Sequence, residues 1–183
     1  MPASCPRCRW VNLHNPLYVR YHDEEWGVPS RDDRYLFEML VLECFVAGLS
    51  WECVLNKRAA FRAAFADFDA EKVAAYNEEQ IESLMHNPQL IRHRGKLQAA
   101  VNNAQVVLRI RQEFGSFAAY AWGFCPDAPV RESWQLRTSS ALSDALSLDL
   151  KRRGMLYVGS VTIYSWLQAV GIVSGHDAEC FQA

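Results

Sequence analysis

The chain has 183 residues, half of them hydrophobic and 12% aromatic, which is enough to fill the core of one domain. A net charge of -2 excludes a polycation that holds nucleic acid by overall charge and leaves only a local basic patch for that role. The start, Met1-Pro2-Ala3-Ser4-Cys5, lacks a basic-then-apolar leader pattern, and no apolar run reaches the ~20 residues of a membrane span. The expectation is a cytoplasmic, monomeric protein with no membrane partner. Its six cysteines are then thiols or metal ligands.

The apolar period is helical almost throughout. Asp32 or Asp33 can cap a helix running to about Ala47, and further helices are predicted over residues 51–64, 70–76, 78–86, 92–112, 116–124, 140–153 and 158–170. Gly48, Pro88, Gly115, Pro126, Pro129, Gly154 and Gly171 supply the breaks, and residues 125–137 read as the longest loop. No alternating strand pattern, repeat or low-complexity tract is evident. The predicted class is all-α, with two helical lobes around a cleft in a single domain spanning 1–183.

Two pairs of metal-ligand residues lie at opposite ends: Cys8 and His22, then His176 and Cys180 four residues apart on one face of a predicted helical turn. Two Cys and two His make a closed tetrahedral set, the donor set of structural zinc. Cys5 stands three residues before Cys8 and is equally able to serve, so the choice between them is open on spacing. So is the reading of all four residues as ordinary thiols and surface imidazoles.

In the first long helix, the neighbours of Glu43 three and four residues away are Met39, Leu40, Val46 and Ala47, all apolar. A carboxylate buried there without a cation costs several kcal/mol or takes up a proton. Glu38 has Arg34 four residues before it, and the pair reads as solvated. Glu43 is therefore either a pocket acid or a buried group satisfied from a distance. Trp10, Tyr18, Tyr21, Trp26 and Trp51 flank that helix in sequence and can wall a site for a flat, polar-edged molecule such as a nucleobase, or simply pack the core. The stretch 83–112 carries Arg92, Arg94, Lys96, Arg109 and Arg111 with no acidic residue. Its turn into a helix offers free amides and cations to a phosphate backbone, or is a solvated basic face.

Together the motifs resemble those of the DNA-3-methyladenine glycosylase I family. They are Cys8-Arg9-Trp10, Pro16-Leu17-Tyr18, Tyr21-His22-Asp23-Glu24-Glu25-Trp26-Gly27-Val28-Pro29, Leu42-Glu43 and Ala47-Gly48-Leu49-Ser50-Trp51. Later come Ile91-Arg92-His93-Arg94-Gly95-Lys96, Tyr157-Val158-Gly159, Gln168-Ala169 and the His176/Cys180 pair. The resemblance implies an all-α helix-hairpin-helix DNA glycosylase, its hairpin lobe over about 52–135. It implies hydrolysis of the N-glycosidic bond of N3-methyladenine in alkylated double-stranded DNA, leaving an abasic site. It implies structural Zn2+ on Cys8, His22, His176 and Cys180, with Cys8 preferred to Cys5 for its spacing to Trp10. Glu43 would bond the damaged base and Trp51 stack on it, with Trp10, Tyr18, Tyr21 and Trp26 as walls. Gly48 and Leu49 would sit at the mouth, while Arg92, Arg94, Gly95 and Lys96 would hold DNA.

The chain departs from the family pattern at Phe45-Val46, where a Gln-Gln pair is usual, at Gln89 in place of a hairpin Gly, and at Val161 in place of a hydroxyl. Phe45 and Val46 keep open a glycosylase with shifted alkyl-base specificity, and a separate alternative is a non-catalytic zinc-containing protein that binds lesions. The family's lack of a hairpin-following catalytic Asp matches the absence of Asp between Pro88 and Ala121.

Overall fold

The computed structural model describes residues 6–125, 129–131 and 137–183; Cys5 and most of the predicted loop at 125–137 fall outside them. The described chain is mostly helical, as expected. Its order is α1 Pro16–Glu24, α2 Asp33–Val46, α3 Trp51–Leu55, α4 Arg58–Ala64, a 3-10 turn at Ala66–Phe68, α5 Ala70–Ala74, α6 Glu78–His86, α7 Arg94–Phe114, α8 Phe117–Gly123, β1 Val130–Arg131, α9 Ala141–Arg152, α10 Ser160–Ala169 and β2 Val173–Ser174.

Local chemistry sets the boundaries. Asp32, not Asp33, caps α2 by accepting from the Tyr35 N–H at 2.8 Å. Asp33 instead accepts from the Phe117 and Ala118 amides (3.0 and 2.8 Å) and from Arg111 (2.9 Å), tying the start of α8 to α2. Asn77 and Gln80 close a capping box on α6, and Ser140 and Ser143 close one on α9. His93 caps α7 through its ring, so that helix starts two residues later than expected. The predicted helix over 51–64 is two helices, broken at Asn56–Lys57.

Helix α1 escaped the apolar period because only Tyr21 and His22 on it are buried. Asn15 caps it and Pro16 opens it. The two strands pair in parallel, Val130 with Val173 and Arg131 with Ser174. At two residues each they are too short to show an alternating pattern.

Helix α2 is the axis of the core. Every residue from Leu36 to Phe45 is buried, which is what a helix apolar on all sides requires. It packs against α3, α7, α8 and α10, while α10 packs on α9 and α7 on α5 and α6. The Glu38–Arg34 pairing expected from sequence is not formed. Glu38 is buried and accepts from Arg58 (2.8 Å) and Arg62 (2.6 Å), with Arg58 also bonded to Glu25 at 2.7 Å. Arg34 turns outward to Asp67 at 3.3 Å. Two guanidiniums from α4 outbid a neighbour on the same helix because the carboxylate faces the interhelical seam, where charge-assisted bonds are strong. They hold its carboxyl below the usual range against the opposing effect of burial.

After α10 the chain turns at Gly171 (φ +76°), and its Ile172 N–H bonds back to Leu167. A Cβ on Gly171 would lie 2.4 Å from the backbone of Val28 and Pro29. Gly171→Ala is therefore expected to cost about 3 kcal/mol, from strain plus a clash with main chain that cannot rotate away. In thermal unfolding this corresponds to a fall of about 6–12 °C; an unchanged midpoint would refute the close approach.

Candidate active site

A cavity of about 220 Å³ opens between α1, α2, α3 and α10. It is lined by Trp10, Tyr18, Tyr21, Trp26, Glu43, Val46, Trp51, Ser165 and Gln168. All five aromatic residues singled out from sequence thus meet Glu43 in one place. Tyr21 and Trp51 pack at 5.0 Å between ring centroids, Trp10 and Tyr18 at 5.3 Å, and Trp10 and Trp26 edge-to-face at 4.8 Å. The space suits one flat ring system rather than a drug-sized ligand.

Glu43 projects from the middle of α2 and is 8% exposed. Among the described residues it makes no hydrogen bond and no ion pair. Burial alone pushes its carboxyl up to about 8. Among the described residues no cation lines the cavity beside it, so the cation missing from its helix neighbours is not supplied from another element. Burial first, and then the Glu43 charge among others, also raises the Tyr18 and Tyr21 phenols, Tyr18 to about 12. Both stay neutral donors at physiological pH.

Two lining residues, Ser165 and Gln168, carried no assigned role in the sequence reading. Both lie on α10, whose composition is that of a core helix, and helical spacing does not tell which neighbour a polar side chain on such a helix meets. The Gln168 Nε2 and the Trp51 Nε1 are buried without a hydrogen-bond partner. Of the departures, Val46 lines the cavity, whereas Phe45 points into the core against Phe61 at 4.8 Å.

Cys8, His22, His176 and Cys180 converge, their ligand atoms all within 4.8 Å of one another. Cys8 Sγ to His176 Nδ1 is 3.5 Å, Cys180 Sγ to His22 Nε2 is 3.4 Å, and Cys180 Sγ to His176 Nδ1 is 3.6 Å. Zn–S and Zn–N bonds set tetrahedral edges of roughly 3.4–3.8 Å, so the residues fit such an ion. His22 turns its other nitrogen to Asp23 at 2.8 Å, and Asp23 is gripped by Arg7. A carboxylate behind a histidine fixes which ring nitrogen faces the metal.

His176 and Cys180 sit on a tight turn, with the Cys180 N–H bonded to Asp177 O at 2.8 Å, and not on the helical turn expected from their spacing. Gly27 (φ +79°) makes room for His176: a Cβ there would lie 2.6 Å from its Nε2. Burial raises the Cys8 thiol to about 12 and lowers His176 to about 4.

Cluster and cavity share a wall. The Trp26 ring lies 4.6 Å from that of His176 and stacks on His22 at 6.3 Å, and Trp10 meets His22 at 5.3 Å.

The hairpin between α6 and α7 turns at Asn87–Leu90, where the Gln89 amide donates to Asn87 Oδ1 and the Gln89 carbonyl accepts from Lys57 at 3.0 Å. Gln89 is not among the residues with positive φ, so this turn needs no glycine there. Leu49 is 43% exposed beside Gly48, and Arg92 is exposed. Two residues expected to face DNA phosphates are engaged within the protein. The Lys96 ammonium is buried and donates to the Phe45 and Ala47 carbonyls (2.9 and 2.6 Å), closing the end of α2. Arg94 pairs with Glu78 and Glu82. Gly95 lies at the start of α7 beside Tyr157 and His93.

Comparison with known proteins accords with this arrangement. The family model "Methyladenine glycosylase" matches residues 10–183. DNA-3-methyladenine glycosylase 1 of Escherichia coli K12 is 47% identical over 178 residues, covering 95% of each chain. A crystal structure of a 3-methyladenine DNA glycosylase I superimposes with a TM-score of 0.92 at 46% identity, over 96% of this chain and 98% of that one. A variant of such an enzyme in complex with 3-methyladenine matches with a TM-score of 0.88 at 38% identity, over 91% and 92%. The chain belongs to the methyladenine glycosylase family.

Proposed function

We propose that this protein is a DNA-3-methyladenine glycosylase of base-excision repair, hydrolysing the N-glycosidic bond of N3-methyladenine in alkylated DNA. The observation that carries the reading is Glu43, a buried carboxylate with no internal partner in an aromatic cavity large enough for one base. The relatives named for this activity, and the related enzyme seen with 3-methyladenine, support it.

The target base must leave the stack, at a cost of a few kcal/mol. N3-methyladenine in DNA carries a positive charge, and the site favours that charge twice: by the faces of Trp10, Trp26 and Trp51 and by Glu43. The cationic ring favours the ionised form of Glu43, which loses its proton to solvent, and the carboxylate accepts from the exocyclic amine. When the C1′–N9 bond breaks, its electron pair neutralises the departing ring. Water adds its oxygen to C1′ and releases a proton to solvent. A neutral leaving group needs little general acid, so the site selects and orients while Glu43 also steadies the charge that develops on the sugar. No lysine lines the cavity, in keeping with a monofunctional enzyme that leaves an abasic site.

The pair α6–α7 serves as the helix-hairpin-helix, reaching the duplex backbone through the amides opening α7 around Gly95 and through Arg92. Leu49 and Gly48 occupy the gap left by the extruded nucleotide. Cys8, His22, His176 and Cys180 hold structural zinc, which supplies a cross-link between the chain ends and no chemistry. The protein works as a monomer in the cytoplasm on double-stranded DNA. Among the described residues no helix is long and apolar enough to cross a membrane.

Incubation with methylated duplex DNA, followed by identification of the freed bases, tests the reading. 3-Methyladenine is the expected product. Release of no base, with lesion binding retained, would replace the enzyme by a sensor. Val46 at the cavity wall favours one variation, a shift toward another alkylated base, which the same product analysis would reveal.

A further inference from the structure

Among the described residues, the Gln168 carboxamide is a buried polar group that the fold itself does not explain. It is 8% exposed, lines the cavity that holds Glu43, and its Nε2 has no hydrogen-bond partner. Leaving such a donor dry carries a desolvation penalty, which a helix of core composition could avoid with Leu or Met. Nor is its position loose. The Gln168 carbonyl accepts from the Gly27 N–H (3.1 Å) and the Gly171 N–H (3.2 Å), so both the turn after Trp26 and the close of α10 fix the backbone that carries the side chain. An unsatisfied donor on an anchored backbone, lining the same cavity as an unsatisfied acceptor, reads as half of a recognition pair.

We infer that Gln168 reads the base: its amide donates to a ring nitrogen of the extruded adenine next to the exocyclic amine that Glu43 accepts from. The inference rests on the base-binding reading of the cavity and deepens it. Adenine presents an amino donor flanked by two ring acceptors, N1 and N7, so an acceptor and a donor side by side match that edge. Guanine presents a carbonyl oxygen in place of the amine and meets Glu43 with the wrong polarity. A site with both groups rejects an analogue lacking either, because a buried group is then left unpaired.

The test is binding of free 3-methyladenine and of its 1-deaza and 7-deaza analogues to wild type, Gln168→Met and Gln168→Ala, followed by tryptophan fluorescence. Wild type is expected to bind 3-methyladenine about tenfold more tightly than Gln168→Met does. It is also expected to lose about tenfold on one of the two deaza analogues, a loss the variants do not show. Thermal midpoints of Gln168→Met should equal or exceed wild type, since no internal bond is broken, and Gln168→Ala provides the same comparison if Met overfills the site. Equal affinity of wild type and variants for 3-methyladenine, or the same deaza penalty in all three, would overturn the role of Gln168 and leave the glycosylase reading standing. Failure of wild type to bind 3-methyladenine at all would overturn both.

Discussion

Glu43→Gln is expected to make the protein more stable and about tenfold or more less active. In the folded chain the carboxyl sits at about 8 against an ordinary 4.5, because burial disfavours its charge and nothing nearby compensates. Between those two values the folded state holds the proton more tightly than the unfolded state does. Stability of the wild type therefore falls as pH rises from about 4.5 to about 8, and it stays at the lower level above that. The neutral amide removes the fall. At pH 9 the variant should gain on the order of 3–5 kcal/mol over wild type, and at pH 4 almost nothing.

Excision of 3-methyladenine should drop about tenfold or more in the same variant, because an amide offers no charge to the cationic lesion. In wild type, kcat/KM should rise with pH to a plateau near 8, and the limb for kcat should lie lower, since the bound cation favours the ionised form. Both limbs should vanish in Glu43→Gln. Thermal melts across pH and single-turnover excision are the measurements. Unchanged excision would remove Glu43 from the chemistry, and a pH-independent stability difference would show that it has a partner in solution.

The second large effect concerns the metal cluster. Wild type should carry about one zinc per chain, and Cys8→Ala should carry none. The ligands close a loop of almost the whole chain, from Cys8 to Cys180. Losing a cross-link of that span costs about 3–5 kcal/mol, or a fall of about 6–20 °C in the thermal midpoint. Hydrogen bonds between the ends remain, Phe181 N–H to the Pro6 carbonyl and Gln182 to the Asp23 carbonyl. The variant should therefore loosen at one edge rather than unfold outright.

Because Trp26 and Trp10 pack on His22 and His176, the loss should be visible as changed tryptophan emission and weaker base binding. Cys5→Ala should keep its zinc if Cys8 is the ligand. A metal-free Cys8→Ala with the midpoint and emission of wild type would defeat the staple.

Much of the site was legible because it follows from rules that act over one helical turn. Glu43 stood out because its four helical neighbours are apolar; Met39 and Leu40 are core, while Val46 is half-buried at the cavity wall and Ala47 is exposed. The start of α2 followed from the choice of Asp32 or Asp33 as its cap, whereas the caps of α6 and α9, Asn77 and Ser140, emerged only from the structure. The same local rule misled at Glu38, where an arginine four residues away suggested a solvated pair. It was silent on Ser165 and Gln168, and it offered Lys96 to DNA when its ammonium ends on the carbonyls of α2.

The sequence by itself determined the helical class, the apolar surroundings of Glu43 along its own helix and the family its ordered motifs resemble, and it offered the four Cys and His residues as candidate ligands. Only the tertiary structure decided which charges find partners, which polar groups of α10 face the cavity, and that the Cys/His cluster and the aromatic cavity share Trp26 as a wall. The reason is range. Capping and helical spacing act within four residues, whereas burial of a charge and its pairing depend on which helices cross. That crossing is set by packing of the whole core around α2.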